Sequence, residues 1–137
     1  MNQQVLEIAP SVGHFFGAKL NNLMRLYPNR IGQVEYHYVP SMVGVNPTTV
    51  VPEEYIAEIN KQLPYEIKKV EWNFGLKNGQ LITEVPSHLR EYDLVILNGG
   101  LSSMLPYVES EYELKRWLQT VVMEKVLKPQ GIFSFNF

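Results

Sequence analysis

A carboxylate followed by small residues at alternate positions is the strongest chemical signal in this chain. Glu7 lies in the apolar segment 5–8, and Ala9, Ser11 and Gly13 follow it. Small residues between a strand and a helix let the backbone approach a ligand closely, and the first N–H groups of the helix lie beside it. The segment therefore predicts a nucleotide-type pocket, although it does not specify one reaction.

A second segment has the same design. Residues 92–97 read Tyr-Asp-Leu-Val-Ile-Leu and are followed by Asn98, Gly99 and Gly100. A buried strand that ends in polar and small residues can hold a substrate or cofactor through its backbone groups. The same pattern is also typical of a tight turn that needs glycine. Both interpretations stay open at this point.

Composition indicates an ordinary globular domain. The chain has 137 residues, 45% of them hydrophobic and 19% charged, which suits one domain over residues 1–137. A net charge of −2 gives no electrostatic footprint for nucleic acid. The absence of cysteine excludes disulfides and thiolate chemistry, and the histidines lack metal-ligand spacing, so no metal site is expected. Without an apolar run of membrane length or a basic leader, we expect a cytoplasmic protein with no membrane partner.

The elements that must position these residues alternate along the chain. Hydrophobic patterns predict strands at 5–8, 33–39, 67–74, 94–97 and 132–137, and helices at 14–27, 52–63 and 111–127. Residues 40–51 fit either a strand end with its turn or a long loop. Asn78-Gly79 predicts a hairpin.

Strands that alternate with helices predict a parallel sheet with right-handed crossovers, an α/β three-layer sandwich of the Rossmann type. Ligands of such sheets bind at the carboxyl ends of the strands, where the strand order reverses. Both small-residue turns follow predicted strands at these ends. The two segments are therefore expected to face one pocket.

Three segments together resemble the class I S-adenosylmethionine-dependent methyltransferases. They are residues 5–13, with an acidic residue and a small-residue turn; residues 92–98, similar to the family's fourth strand; and residues 126–133, similar to its entry into the fifth strand. The resemblance implies a mostly parallel sheet of about five strands that lacks the family's last two. It also implies S-adenosylmethionine as cofactor and a small molecule or a protein as methyl acceptor. The residues expected to bind the cofactor are Glu7, Ala9, Ser11, Gly13, Asn46, Asn98 and Gly99.

The chain departs from the family pattern at two places. Ala9 and Ser11 stand where the family has glycine, and only Gly13 is kept. The family's acidic residue after the second strand has no counterpart, and Asn46 offers only a neutral amide there. These departures favour an alternative, a catalytically inactive methyltransferase-like domain that serves as an assembly or interaction module. Another Rossmann-type nucleotide or sugar-nucleotide binder is a third option.

Several side chains also have a purely structural interpretation. Glu7 either orders the amino end of the cofactor or caps nearby backbone N–H groups. Residues 72–74 either stack on an adenine or belong to the core. Asp93 is expected to cap or pair structurally, and Tyr36 and Tyr38 are expected on a half-exposed strand face.

The last predicted strand has consequences for assembly. Residues 132–137 are apolar and uncharged, and the predicted topology places them at a sheet edge. An edge of this kind invites pairing with another chain. We therefore expect a homodimer or a heteromeric partner that covers this strand.

Overall fold

The structure is a computed structural model, which describes part of the chain. The described residues are 3–10, 26, 34–40, 53–63, 65–78, 80–89, 91–98 and 105–136. Within these residues there are seven strands: β1 (Gln3–Ile8), β2 (Val34–Val39), β3 (Ile67–Lys69), β4 (Leu76–Lys77), β5 (Gln80–Leu81), β6 (Tyr92–Asn98) and β7 (Leu127–Asn136). The helices are α1 (Glu53–Asn60) and α2 (Glu111–Trp117), the latter continued by a π-helix over Leu118–Val126.

Five strands form one parallel sheet. Their order is β3-β2-β1-β6-β7, and each neighbouring pair is parallel. β4 and β5 form a separate antiparallel hairpin, in which Asn78 takes a left-handed φ of 53°. The predicted parallel sheet and the predicted hairpin are both confirmed.

Apolar side chains cover both faces of the sheet. On one face, Leu6 and Ile8 of β1 pack in a cluster with buried residues of α2 and the π-helix, among them Leu114 and Val121. On the other face, Val5 packs in a second cluster that includes Ile56 of α1. Because successive side chains of a strand point to opposite faces, one short strand supplies both clusters. The result is an α/β sandwich with a helix on each side of the sheet.

The long helix begins and ends at identifiable signals. Ser110 is its N-cap and accepts a 3.2 Å hydrogen bond from the N–H of Glu113. The helix ends where Leu127 becomes extended, with φ −89° and ψ 138°, and the Leu127 N–H bonds the carbonyl of Val122. This five-residue step is π-helical geometry. The sequence pattern predicts one continuous helix, which is right in extent except that its second half is π-helical.

Two expectations from the strand patterns are wrong. The predicted strand 67–74 ends at Lys69, because Trp72 and Phe74 turn away to pack beside Trp117, with Trp72–Phe74 and Trp72–Trp117 ring centroids 5.2 and 6.4 Å apart. Tyr36 and Tyr38 are 1% and 4% exposed, so their face of β2 is buried rather than half-exposed. In both cases the strand length or the burial of the side chains depends on packing against another element, which the alternation of residues along the chain does not specify.

The last strand begins earlier than expected. β7 starts at Leu127, opposite Tyr92, and its register then shifts so that Ile132 lies opposite Leu94. The intervening Lys-Pro-Gln-Gly residues form a bulge, which accommodates a proline that cannot donate to a ladder.

The predicted helix 14–27 and the uncertain segment 40–51 lie outside the described residues, apart from the helical Leu26 and from Pro40. None of the described helices has the length and hydropathy needed to cross a bilayer.

Candidate functional site

The strand order reverses between β1 and β6. From β1 the chain proceeds outward on one side to β2 and β3, and it later fills the other side with β6 and β7. Crossovers that leave a parallel sheet in opposite directions open a crevice at the carboxyl ends of the two central strands. In this chain the carboxyl ends of the two central strands are Ile8 of β1 and Asn98 of β6, and we call the space expected beyond them the crevice.

Ala9 closes β1 in a conformation that favours glycine. Its φ is 48°, within the left-handed region, and its N–H donates a 2.8 Å hydrogen bond to the carbonyl of Val39 at the end of β2. A left-handed alanine costs about 1–2 kcal/mol because Cβ crowds the following carbonyl. The chain therefore makes a sharp, locally strained turn directly at the crevice, at the first of the predicted small-residue positions.

Glu7 is held inside the sheet face rather than in the turn. Its side chain is fully buried, and Oε1 accepts a 2.7 Å hydrogen bond from the hydroxyl of Tyr36. The ring of Tyr36 stacks on Tyr65 with centroids 5.9 Å apart. Burial above all, and then the charge of Glu7, raises the pKa of Tyr36 well above its usual value. Because Tyr36 keeps its proton, its hydroxyl can donate to the carboxylate of Glu7, and this hydrogen bond stabilises the contact between β1 and β2.

The remaining predicted cofactor residues are only partly placed. Asn98 is the last residue of β6. The β1–β6 pairing runs to Glu7, which lies opposite Ile96, and Ala9 and Asn98 each lie two residues further along their chain segments. Glu7, Ala9 and Asn98 therefore belong to one end of the β1–β6 pair, as the sequence predicts. Ser11, Gly13, Asn46 and Gly99 lie outside the described residues.

A polar contact lies on the opposite face of β2. His37 Nδ1 is 2.7 Å from the hydroxyl of Tyr92, and the two rings meet edge-to-face with centroids 5.7 Å apart. Burial lowers the pKa of His37, although the charge of Glu35 acts in the opposite direction. Burial raises the pKa of Tyr92 to about 12. A neutral imidazole paired with a neutral phenol is a structural contact, which agrees with the absence of metal-ligand spacing around His37.

Asp93 also has a structural role, as expected. Its Oδ2 accepts from the backbone N–H of Gln4 at 2.8 Å, and Oδ1 lies 3.1 Å from Nζ of Lys128. These two bonds, with the backbone one first, lower the pKa of Asp93. They join the starts of β1, β6 and β7, at the end of the sheet opposite to the crevice.

Trp72 and Phe74 belong to the core, whereas Asn73 between them is exposed. Trp72 is 4% exposed and Phe74 is fully buried. The indole N–H of Trp72 donates to the carbonyl of Glu84 at 3.0 Å, and that of Trp117 donates to the carbonyl of Ile82 at 2.7 Å. The alternative in which this segment stacks on an adenine is therefore wrong.

Sequence reasoning did not anticipate a groove beside the hairpin. It has a volume of about 440 Å³ and is lined by Gln80, Leu81, Thr83, Glu113, Arg116, Trp117, Thr120 and Lys125. Nζ of Lys125 donates to the carbonyl of Thr83 at 3.2 Å and so links the helix to the hairpin. The residues that line the groove come from two segments about 30 positions apart that share no motif. The sequence pattern therefore gave no indication of the groove.

Among the described ranges, no three His, Asp or Glu side chains are grouped so as to hold a metal ion. Comparisons of the chain with protein-family models, with curated proteins and with solved structures gave no match. The crevice between β1 and β6 is therefore interpreted from its own geometry.

Proposed function

We propose that this chain is a Rossmann-like domain of the class I methyltransferase type, which binds S-adenosylmethionine at the crevice between β1 and β6. The observation that carries the proposal is the left-handed turn at Ala9, placed directly where the strand order β3-β2-β1-β6-β7 reverses. A turn of this kind at the end of the first strand is what a cofactor loop requires, because it brings the backbone close to the ligand.

Two described residues at the crevice support the proposal. Ala9 presents only a methyl group, and Asn98 ends the facing strand. Glu7 lies two residues before Ala9, and its buried side chain fixes the end of β1 through the hydrogen bond from Tyr36. We expect Ser11, Gly13, Asn46 and Gly99 to complete the site.

Bound S-adenosylmethionine supplies an activated methyl group to a nucleophilic acceptor. The chain's own contribution is to position the acceptor and to exclude water, which can carry most of the rate of an in-line displacement. The acceptor, a small molecule or a protein side chain, releases its proton in the same process. A dedicated base is therefore not required of the residues around the crevice.

Isothermal titration with S-adenosylmethionine and S-adenosylhomocysteine tests the proposal. We expect micromolar binding by the wild type, tighter binding by Ala9→Gly, and loss of binding in Gly13→Val. Asn78→Gly is the matched control, since it relaxes another left-handed residue, φ 53°, in the hairpin. A wild type that binds neither ligand would refute the proposal.

An inactive interaction module is the second candidate function. The feature that favours it is the apolar outer strand, where Ile132 and Phe135 are 66% and 49% exposed. An apolar edge strand with no charge can pair with another chain. The titration with S-adenosylmethionine and S-adenosylhomocysteine distinguishes the two candidate functions. An interaction module without a cofactor site would bind neither ligand although it is folded.

A further inference from the structure

The two outer edges of the five-stranded sheet differ in length and charge. β3 has only three residues and exposes Lys68 and Lys69. Nζ of Lys69 lies 3.0 Å from a carboxylate oxygen of Glu53 and 3.8 Å from one of Glu71. Short edge strands and exposed lysines hinder pairing with other chains. The β3 edge is therefore protected.

The β7 edge has such features only at its start, where Lys128, Pro129 and the bulge lie, and residues 132–136 have no lysine and no proline. β7 is ten residues long, and its residues 129–136 carry no charge. Ile132 is 66% exposed and Phe135 49% exposed. Within the described part of the chain, β6 is the one strand that pairs with β7. The outer side of β7 thus offers backbone donors and acceptors beside exposed apolar side chains.

We propose that a second copy of this chain pairs with β7 in antiparallel orientation and forms a symmetric dimer with a continuous sheet. A two-fold contact sets the same surface against itself, so it requires a strand without like charges facing each other. The uncharged residues 129–136 meet this requirement. A symmetric contact through β3 would instead bring Lys68 and Lys69 of two copies together.

The aromatic residues of β7 also favour a symmetric contact. Phe133 and Phe135 lie on the same face of the strand and stack with ring centroids 5.0 Å apart. In a register centred on Ser134, Phe133 of each copy lies opposite Phe135 of the other. Four rings would then form one cluster across the dimer axis, and aromatic cross-strand pairs are among those that stabilise sheets.

Sedimentation equilibrium over a wide concentration range tests this proposal independently of cofactor binding. We expect the wild type to reach twice the chain mass of 15.8 kDa. Ile132→Lys and Phe135→Lys should weaken dimerisation by at least about tenfold, because the first places two lysines in the interface, each opposite Asn136 of the other copy, and the second replaces two rings of the aromatic cluster by charged side chains. Met123→Lys is the matched control: Met123 is 53% exposed on the π-helix and should leave the dimer unchanged.

Circular dichroism of each variant separates loss of pairing from loss of folding. Should the edge variants fail to fold, hydrogen exchange of the wild type gives a second readout, with amide protection of residues 132–136 rising with protein concentration. A wild type that stays monomeric at the highest concentration, or whose β7 amides show no such rise, overturns the proposal. A dimer that persists equally in both folded edge variants also overturns it.

Discussion

The hydroxyl of Tyr36 donates a 2.7 Å hydrogen bond to the carboxylate of Glu7, and the two side chains are 1% and 0% exposed. A carboxylate removed from water needs donors, since burial without them costs several kcal/mol. Tyr36 supplies one donor from the neighbouring strand. Glu7, which the sequence predicts to be a ligand-binding residue, is therefore held in a hydrogen bond that joins β1 to the neighbouring β2.

Tyr36→Phe should destabilise the fold by about 1–3 kcal/mol, because it removes a donor from a buried carboxylate. Urea denaturation monitored by tryptophan fluorescence measures this change. Tyr38→Phe is the control: Tyr38 is buried on the same face, but the charges nearest its hydroxyl belong to Glu53 and Lys69. Equal losses in the two variants would contradict a special role for the Tyr36–Glu7 bond.

Stability should fall as the pH rises above about 10. Burial, followed by the charge of Glu7, raises the pKa of Tyr36 above the ordinary 10.0. The unfolded chain therefore releases this proton at a pH where the folded protein still holds it, so alkali favours unfolding. Denaturation from pH ~9 to pH ~11 should show a smaller slope in Tyr36→Phe. Tyr112→Phe, at a position that is 73% exposed, should keep the wild-type slope.

His37 should make the protein less stable in mild acid. Burial lowers the pKa of His37 from 6.5; Glu35 opposes this effect, and Lys68 and His88 reinforce it. The unfolded chain then binds a proton at a higher pH than the folded protein, so stability is lost as the pH falls below about 6.5. An NMR titration of the imidazole should give a value below 6.5, and His37→Gln should flatten the stability profile below that pH. A titration at or above 6.5 would contradict this.

Ala9→Gly should stabilise the fold by about 1 kcal/mol, because glycine adopts a φ of 48° without strain. Differential scanning calorimetry measures the effect. Ala57→Gly is the control with the opposite sign: Ala57 lies exposed in α1, where glycine costs about 1 kcal/mol. A loss of stability in both variants would show that the turn at Ala9 is not strained.

Gly131→Ala should destabilise the start of β7 by about 1–3 kcal/mol through overpacking. An added Cβ would lie 2.7 Å from Cδ1 of Leu127 and 3.0 Å from the carbonyl oxygen of Asp93. Thermal unfolding measures the loss. Gln130→Ala, at the exposed neighbouring position, should change stability little. Full tolerance of Gly131→Ala would mean that Leu127 and the bulge move aside at no cost.

Local sequence signals predicted the elements that depend on local chemistry. Alternating or continuous apolar residues identified β1, β2 and β6, Asn78-Gly79 identified the hairpin, and the apolar spacing of residues 111–127 identified the long helix. Each of these signals acts through neighbours in the chain. The sequence also placed Glu7, Ala9 and Asn98 at strand ends that the parallel register brings to one edge of the sheet.

Other features depend on partners that are remote in sequence. Trp72 and Phe74 alternate with exposed residues as in a strand, yet they pack against Trp117, which lies more than forty positions away. No local pattern contains that partner, so β3 was predicted too long. The burial of Tyr36 also depends on a remote partner, because its hydroxyl donates to Glu7 on β1, 29 positions away in the sequence.

The sequence by itself determined the positions of β1, β2 and β6 and of the long helix, because these elements follow from local periodicity. Only the tertiary structure decided that the strand order reverses between β1 and β6, that Glu7 is buried against Tyr36, and that Trp72 and Phe74 pack beside Trp117. These properties depend on which strands lie side by side, and that choice is made by packing across the whole sheet.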